Sequence, residues 1–440
     1  MAKMSEKELL DRKPWYNPGK WFVTPVTWLP EVRATMPNLP KRVYIQDTTL
    51  REGEENISVG FTMDQKVEIA RRLSEMGVAI VDVGYAGHPY QEESLKTIMD
   101  AGVIKPPTKV QIFTRSEDPE EVRKQIDRIV DKGATATGIV AWTIQRTPEG
   151  QQMWVDAVKY AKKNYPDLFV TLSYVTTTGT ITRPKEWKTL KSSFDWQVEL
   201  AKKAVETGAD RIQMSDSFGC GSPAAIKYIA SQFREAIGPD KGLLSHNHND
   251  YGQAVACAMA AVEGGANYLD TAVNGLGDRA GNTAAEEIIM AIQCLYGIDT
   301  GINLDRIYGM SRYVQEAAGV KVQPWKAVVG NLVWAEDSHS AGLVRLKWEG
   351  VNWFEGGMET YNPQVVGQTH QMFFGKTVLN VGTVKSFLDH LNLSYDDETI
   401  NTIIWAGMKE IDDRAARGEN RWLTEEEVNE LCRKYAKKPK

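Results

Sequence analysis

Residues 194–216, FDWQVELAKKAVETGADRIQMSD, contain one complete structural unit. The segment 194–207 carries apolar side chains at helical spacing, and the segment 211–216 is a short apolar run typical of a buried strand. Gly208 stands between them, where a helix that ends through a left-handed residue needs glycine. The stretch therefore predicts a helix followed directly by a strand.

The same unit recurs along the chain. Short apolar runs alternate with helical stretches such as 63–76, and a Gly-Val or Gly-Ala step ends four of those stretches at 77–78, 133–134, 208–209 and 265–266. The apolar runs cover 42–47, 79–84, 109–113, 136–142, 169–175, 211–216, 243–248 and 267–273. Eight units within about 250 residues favour an α/β fold of the (β/α)8 TIM-barrel type, and an open doubly wound sheet is the alternative.

Three other regions surround the predicted barrel domain at 41–300. Residues 1–40 form a Trp- and Pro-rich N-terminal arm without regular periodicity, predicted to pack over the barrel or over a neighbouring subunit. Residues 301–380 lack a steady period and predict a small linker subdomain. Residues 381–440 predict a helical C-terminal subdomain, in which Thr424 and Glu427 have the spacing of a capping box.

The composition excludes several classes of protein. Hydrophobic residues make up 42% and charged residues 25%, which is ordinary for a globular chain. The net charge is −6 and no basic block occurs, so neither nucleic acid nor an anionic membrane is expected as a partner. No apolar run reaches the roughly 18 residues of a spanning helix, and the polar N-terminus does not resemble a secretory signal. We therefore expect a cytoplasmic protein.

Two histidines at the end of the seventh predicted strand indicate a metal site. Residues two apart in a strand point to the same side, so His246 and His248 share a face. In a barrel the active site lies at the C-terminal ends of the strands, where Asp47 would be a third ligand. Mixed nitrogen and oxygen ligands suit Mn²⁺, Zn²⁺, Fe²⁺ or Co²⁺ and, less naturally, Mg²⁺. The alternative is that both histidines only pack and form hydrogen bonds in the core.

Two further segments accompany these residues. The loop NGLGDRAGN at 274–282 follows the eighth strand, and its glycines allow a ligand to approach while Asn282 offers an oxygen. Arg51 next to a metal-bound carbonyl could stabilise a developing oxyanion, and Glu52 could orient that arginine or move a proton. The alternative for this pair is a surface ion pair without function.

Three motifs together resemble the signature set of the DRE-TIM metallolyase family, namely DTTLREGEE at 47–55, HNHND at 246–250 and NGLGDRAGN at 274–282. The family includes isopropylmalate, homocitrate, citramalate and Re-citrate synthases, 3-hydroxy-3-methylglutaryl-CoA lyase and 4-hydroxy-2-oxo acid aldolases. The resemblance implies that a divalent metal is held by Asp47, His246, His248 and Asn282. It also assigns catalytic roles to Arg51 and Glu52.

The segments after the barrel favour the synthases within that family. Residues 328–346 and 361–376 resemble the post-barrel subdomains of the synthases, and the lyases and aldolases do not carry them in this form. The resemblance implies a Claisen-type condensation of an acyl-CoA, with acetyl-CoA as the expected donor, and a 2-oxo acid. It also implies a homodimer in which the C-terminal subdomain of one chain covers the barrel of the other.

The sequence departs from the synthase pattern at the residues that handle the proton. Where synthases carry a histidine, this chain has Val344, so His339 or His370 is expected to act with Glu52.

The substrate-binding positions also differ. Where isopropylmalate synthases place a glutamate, this chain has Val175, and Ser217 replaces a threonine that binds the oxo-acid carboxylate while keeping the hydroxyl. Tyr85 and His88, after the second strand, are predicted to select the side chain of the 2-oxo acid.

The sequence is also compatible with two other functions. A metal-dependent lyase or aldolase of the same family would run the reverse chemistry, and the missing histidine and glutamate favour it. A non-catalytic scaffold that keeps its metal for structure is a more remote alternative. The presence of Arg51 disfavours it, because a scaffold does not need this arginine.

Overall fold

The computed structural model describes residues 5–141, 148–178, 191, 194–335, 348–350, 354 and 359–439. Eight parallel strands close into a barrel in chain order, which confirms the predicted TIM-barrel class. The strands are β1 Tyr44–Asp47, β2 Ile80–Tyr85, β3 Lys109–Thr114, β4 Ala136–Ala141, β5 Phe169–Tyr174, β6 Arg211–Asp216, β7 Gly242–Asn247 and β8 Tyr268–Thr271. The barrel closes because β8 pairs with both β7 and β1.

A helix follows each strand. These helices are α1 Met63–Met76, α2 Pro89–Asp100, α3 Pro119–Asp131, α4 Pro148–Asn164, α5 Asp195–Thr207, α6 Pro223–Ile237, α7 Ala254–Gly264 and α8 Ala285–Met290. The four glycines predicted at helix-to-strand joints all have positive φ angles, for example 96° at Gly77 and 120° at Gly208. The left-handed conformation explains why glycine recurs there.

The apolar core lies between the strands and the helices. Leu172 and Ile212 project outward from the barrel and pack with Leu200 and Phe233 from the helices, and all four are fully buried. The inside of the barrel is different, because it holds polar side chains such as Arg211, which is also fully buried. The polar interior leads toward the C-terminal ends of the strands.

The boundaries of the compact units differ from the predicted ones. One unit contains Met1–Trp15 and Thr24–Val322, and the other contains Tyr16–Val23 and Gln323–Lys440. Helix α9, Ile307–Ala318, therefore belongs to the barrel unit rather than to a linker that begins at residue 301. The reason is contact with α1, on which the guanidinium of Arg72 lies 4.3 Å from the ring centre of Tyr313.

The N-terminal arm is not one irregular piece, which corrects the prediction for residues 1–40. It contains a helix at Glu6–Arg12 and a two-stranded hairpin formed by Tyr16–Asn17 and Trp21–Phe22. The hairpin belongs to the second unit, because the backbone N–H of Phe22 donates a hydrogen bond to the carbonyl of Thr360 at 2.9 Å.

The second unit contains three helices near the C-terminus, in agreement with the helical prediction for residues 381–440. They are α10 Val381–His390, α11 Asp397–Ala416 and α12 Glu425–Tyr435, which pack around a core that includes Phe387, Ile403 and Val428. The capping box at the start of α12 is confirmed, since Thr424 and Glu427 exchange both of its hydrogen bonds. Within the described ranges, no helix has both the length and the apolar composition needed to cross a membrane.

Candidate metal centre and active site

Strand β7 brings the two predicted imidazoles together at the mouth of the barrel. The Nε2 atoms of His246 and His248 lie 3.1 Å apart, as expected from two side chains on the same face of a strand. Both side chains are buried, at 4% and 6% exposure. The pair can therefore approach a small ligand from one side.

Glu52 joins the two histidines. It begins a short helix, Glu52–Glu55, directly after the turn that follows β1. Its carboxylate oxygens lie 3.4 Å from His246 Nε2 and 3.9 Å from His248 Nε2, and one ligand atom from each of the three residues lies within 4.8 Å of the others. The sequence predicted that this carboxylate orients Arg51 or moves a proton. The structure places it against Arg51 and also among the metal-ligand candidates.

Asp47 and Asn282, the other two predicted ligands, are buried with unused polar atoms. Asp47 Oδ1 accepts a hydrogen bond from the N–H of Thr49 at 2.9 Å, whereas Oδ2 has no hydrogen-bond partner among the described residues. Within the described ranges, neither side-chain polar atom of Asn282 has a hydrogen-bond partner. Gly277 makes room for that amide, because a Cβ there would lie 1.9 Å from Asn282 Oδ1.

These atoms fit a divalent cation. In the described part of the chain, Asp47 Oδ2, Glu52 Oε2 and Asn282 Oδ1 are buried acceptors without a donor, an arrangement that is unfavourable unless something compensates it. The two imidazoles and the carboxylate of Glu52, whose ligand atoms lie within 4.8 Å of one another, form a mixed donor set that Mn²⁺ or Zn²⁺ accepts, and the described residues that meet this distance do not include Asp47. The donor chemistry therefore agrees with the metal dependence of the DRE-TIM family.

The electrostatics favour a neutral His248 beside an ionised Glu52. For His246, burial would lower the pKa, but the hydrogen bond with Asp270 and the charge of Glu52 raise it. Burial would raise the pKa of Glu52, but the charge of Arg51 and the two histidines lower it to about 2. Burial and the neighbouring His246 lower the pKa of His248 to about 4. Burial raises the pKa of Asp47 to about 7, against the hydrogen bond from Thr49. Near neutral pH the cluster therefore presents a carboxylate and an imidazole lone pair to a cation.

Arg51 is fixed beside this cluster. Its Nε donates to Asp82 Oδ2 at 2.5 Å, and its Nη1 donates to Glu52 Oε1 at 2.5 Å and to the hydroxyl of Tyr85 at 3.2 Å. The side chain is only 3% exposed, so the pair formed by Arg51 and Glu52 is not a surface ion pair. The guanidinium is held rigidly where it can meet a developing negative charge.

A cavity of about 270 Å³ opens over these residues. Three residues that the sequence assigned to substrate binding, or marked as departures there, line it, namely Tyr85, Ser217 and Val175. His88 is not among the lining residues, because it is exposed at the start of α2. The predicted role of His88 in selecting the oxo acid therefore lacks support from the structure.

The candidates for proton transfer lie elsewhere in the chain. His370 belongs to the second unit, where its Nε2 lies 2.6 Å from Glu359 Oε2. His339 and Val344 lie outside the described residues. The assignment of a proton carrier among them stays a prediction.

Sequence reasoning missed two acidic residues. Asp82 on β2 holds Arg51, and Asp270 on β8 accepts a hydrogen bond from His246 Nδ1 at 2.7 Å. Both are buried inside the barrel, at 0% and 1% exposure. A signal was present, because an aspartate inside an apolar strand needs a partner when it is buried.

Comparison with known proteins agrees with the three motifs. A family model described as HMGL-like matches residues 42–314. The chain is 30% identical to homocitrate synthase AksA of Methanocaldococcus jannaschii, over 90% of this chain and 92% of that protein. It is 31% identical to a putative (R)-citramalate synthase CimA of Methanopyrus kandleri, over 86% of this chain and 70% of that protein. A 2-isopropylmalate synthase of M. jannaschii is also 31% identical, over 77% and 62%.

Solved structures support the fold. The chain resembles the hydroxymethylglutaryl-CoA lyase of Pseudomonas aeruginosa with a TM-score of 0.53 and 19% identity, over 65% of this chain and 96% of that one. The HMG-CoA lyase of Brucella melitensis gives a TM-score of 0.51 and 17% identity, over 64% and 100%. At this identity the likeness concerns the barrel alone.

Proposed function

The chain belongs to the HMGL-like family, and we propose that it is an acyltransferase that condenses an acyl-CoA with a 2-oxo acid. Acetyl-CoA is the proposed donor, and the products are CoA and a 2-hydroxy-2-alkyl dicarboxylic acid. The observation that carries the proposal is the buried Arg51, held by Asp82 beside the cluster of His246, His248 and Glu52. The similarity to synthases over most of the chain supports the same direction of reaction.

Five residues would hold the divalent metal: Asp47, Glu52, His246, His248 and Asn282. When bound, a divalent cation supplies the Lewis acidity that makes the keto carbon of a 2-oxo acid electrophilic. The donor set supports Mn²⁺ or Zn²⁺, with Mg²⁺ as the less natural choice.

The other residues of the cavity bind and stabilise the substrate. Arg51 donates hydrogen bonds to the oxygen that gains negative charge when the enolate carbon of the acyl-CoA adds to the keto group. Ser217 lies in the cavity wall, and its hydroxyl donates a hydrogen bond to the carboxylate of the oxo acid. Tyr85 lies against Arg51 and limits the space for the oxo-acid side chain. Water then hydrolyses the thioester.

We assign Glu52 to the ligand set rather than to proton transfer. Its carboxylate oxygens lie 3.4 Å and 3.9 Å from the two Nε2 atoms, and although burial would raise its pKa, the charge of Arg51 lowers it and keeps the group ionised as a ligand. His339 and His370 remain the proposed proton carriers, with Glu359 orienting His370.

A metal-dependent lyase is the second candidate, favoured by one specific feature. Val175 lines the cavity. The resemblance to isopropylmalate synthases implies a glutamate at this position, and this chain lacks it. In this case the enzyme would cleave a 3-hydroxy-acyl-CoA by a retro-Claisen reaction, and Arg51 would stabilise the same alkoxide.

Release of CoA separates these functions. The metal-loaded protein is incubated with a panel of 2-oxo acids and acyl-CoAs, and free thiol is measured. The synthase predicts thiol release that needs both substrates. Thiol release from no pair, together with cleavage of 3-hydroxy-3-methylglutaryl-CoA, would establish the lyase instead.

We also propose a cytoplasmic homodimer in which the C-terminal subdomain of one chain covers the barrel of the other. The family resemblance supports this arrangement. Sedimentation equilibrium should give twice the chain mass of 49.2 kDa, and a monomer at all concentrations would contradict it.

A further inference from the structure

We infer that Asp270 is a positioning residue that fixes the imidazole of His246 for the metal and links it to Arg51. The inference rests on the metal centre proposed above. It concerns a residue that lies behind the ligands, inside the barrel, rather than in the ligand set.

The contacts of Asp270 define its role. Its Oδ2 lies 2.7 Å from His246 Nδ1 and 3.7 Å from Arg51 Nη2. A carboxylate accepts hydrogen bonds, so this contact places the imidazole proton on Nδ1 and leaves the lone pair on Nε2. That Nε2 atom is the one that faces His248 and Glu52. One carboxylate oxygen thus sets the tautomer of a ligand and also lies beside Arg51.

The carboxylate of Asp270 is itself held in place. Its Oδ1 accepts a hydrogen bond from Gln46 Nε2 at 3.0 Å, and Gln46 lies directly opposite in the pairing of β1 with β8. Gln46 Oε1 in turn accepts from Arg211 Nη2 at 2.6 Å. Rotation of Asp270 would break the bonds to both Gln46 and His246, so the orientation of the imidazole is determined by the barrel framework.

Asp82 provides a matched control, because it holds Arg51 from the other side. It is equally buried and forms hydrogen bonds to Arg51 Nε at 2.5 Å and Thr48 Oγ1 at 3.2 Å. None of its contacts within the described ranges reaches an imidazole. The two aspartates therefore share contact with Arg51 and differ in contact with His246.

The experiment compares metal binding by Asp270→Asn and Asp82→Asn. Metal-free wild type and both variants are titrated with Mn²⁺ by calorimetry, and the visible spectrum of each Co²⁺-loaded protein reports the ligand field. Asp270→Asn should weaken Mn²⁺ binding about 10- to 100-fold, the size typical of a lost partner of a ligating histidine. It should also shift the Co²⁺ bands. Asp82→Asn should leave the Mn²⁺ affinity and the Co²⁺ bands unchanged. Its condensation rate should fall, because Asp82 holds Arg51.

Three results would overturn the inference. The first is a folded Asp270→Asn protein with wild-type Mn²⁺ affinity, and the second is an equal loss in Asp82→Asn. If Asp270→Asn does not fold, Gln46→Met removes the donor that fixes Asp270 together with one acceptor of Arg211, and wild-type Mn²⁺ affinity in that folded variant is the third. If the wild type itself binds no Mn²⁺, the proposed metal centre fails first, so the two failures are distinguishable.

Discussion

The two ends of the barrel interior are both polar, but the carboxylates at one end leave acceptors unpaired, whereas the side-chain network at the other end leaves donors unpaired. At the C-terminal ends of the strands, the unpaired atoms of Asp47 and Glu52 are acceptors. At the start of β6, Arg211 donates to Gln46, Gln111 and Thr171 at 2.6–3.0 Å. The atoms left over there, in the described residues, are N–H donors of Arg211 and Gln111.

This difference separates a binding site from a structural network. Leftover lone pairs call for a cation, whereas leftover N–H groups do not. Arg211 also lies with its guanidinium carbon 4.9 Å from the ring centre of Tyr268, a favourable contact for a buried cation. Substitutions at the mouth should therefore change function, and substitutions at the start of the strands should change stability.

The largest functional effect is expected at Arg51. Arg51→Ala removes the donor to the developing oxyanion and should lower kcat by about 10³-fold or more, with fold and metal content retained. Steady-state CoA release is the measurement, and Arg72→Ala, a partly exposed arginine paired with Glu68, is the control. Turnover within a few-fold of wild type would refute the role of Arg51.

Removal of an imidazole should separate metal binding from stability. His248→Ala should reduce Mn²⁺ affinity by more than about 100-fold, beyond the effect of losing a partner behind a ligand. The metal-free protein should keep its fold, with a loss of unfolding free energy limited to the packing of the buried ring. His88→Ala, at an exposed position, is the control and should bind Mn²⁺ normally. Unchanged metal binding in His248→Ala would contradict the site.

Arg211→Met should lower stability more than it lowers metal binding. Gln46, Gln111 and Thr171 would lose their donor, and buried acceptors without partners should lower the unfolding free energy by about 2–5 kcal/mol. Chemical denaturation measures this change. The loss of Mn²⁺ affinity should be smaller than in Asp270→Asn, and wild-type stability would show that the network is not structural.

The packing inside the barrel, between the two ends of its strands, can be tested at Gly138. A Cβ there would lie 2.1 Å from the ring of Phe113, which lines the cavity, so Gly138→Ala should destabilise by about 1–3 kcal/mol. The second change Phe113→Leu should recover part of that loss. Gly60→Ala is the control, because no atom of the described residues lies within 4 Å of its Cβ position. Equal stability of the two alanine variants would show that the ring moves freely.

The smallest effect is expected outside the barrel. Thr424→Ala removes the capping box of α12 and should lower the stability of the second unit by about 1 kcal/mol. Thermal unfolding measures this change, and Thr402→Ala, on an exposed face of α11, should not reproduce it. Metal binding at the barrel should stay the same in both variants, because the proposed ligands all belong to the first unit. Wild-type stability of Thr424→Ala would contradict the role of the cap.

The sequence predicted the barrel strands within two residues, because each apolar run is short and bounded by polar residues or glycine. It did not predict the place of the N-terminal hairpin, since the contact of Phe22 with Thr360 joins residues far apart in the chain. It also placed the end of the barrel unit too early, because the packing of α9 against α1 has no local signal.

For the site, the two histidines follow from strand alternation, which is a local rule. The approach of Glu52 depends on the turn after β1, and the contacts of Asp82 and Asp270 depend on closure of the barrel. The periodicity of the sequence predicts the strands but not these contacts between residues that are far apart in the chain. The cavity likewise includes Tyr85 and not His88, because the chain has already turned outward at the start of α2.

The most direct test of the metal centre is CoA release before and after removal of metal. The wild-type protein is treated exhaustively with a chelator, dialysed, and assayed with the acyl-CoA and 2-oxo acid pair found active in the panel. We predict that thiol release stops and returns on addition of Mn²⁺ in proportion to metal bound, up to one ion per chain. Full turnover by the metal-free protein would contradict the account.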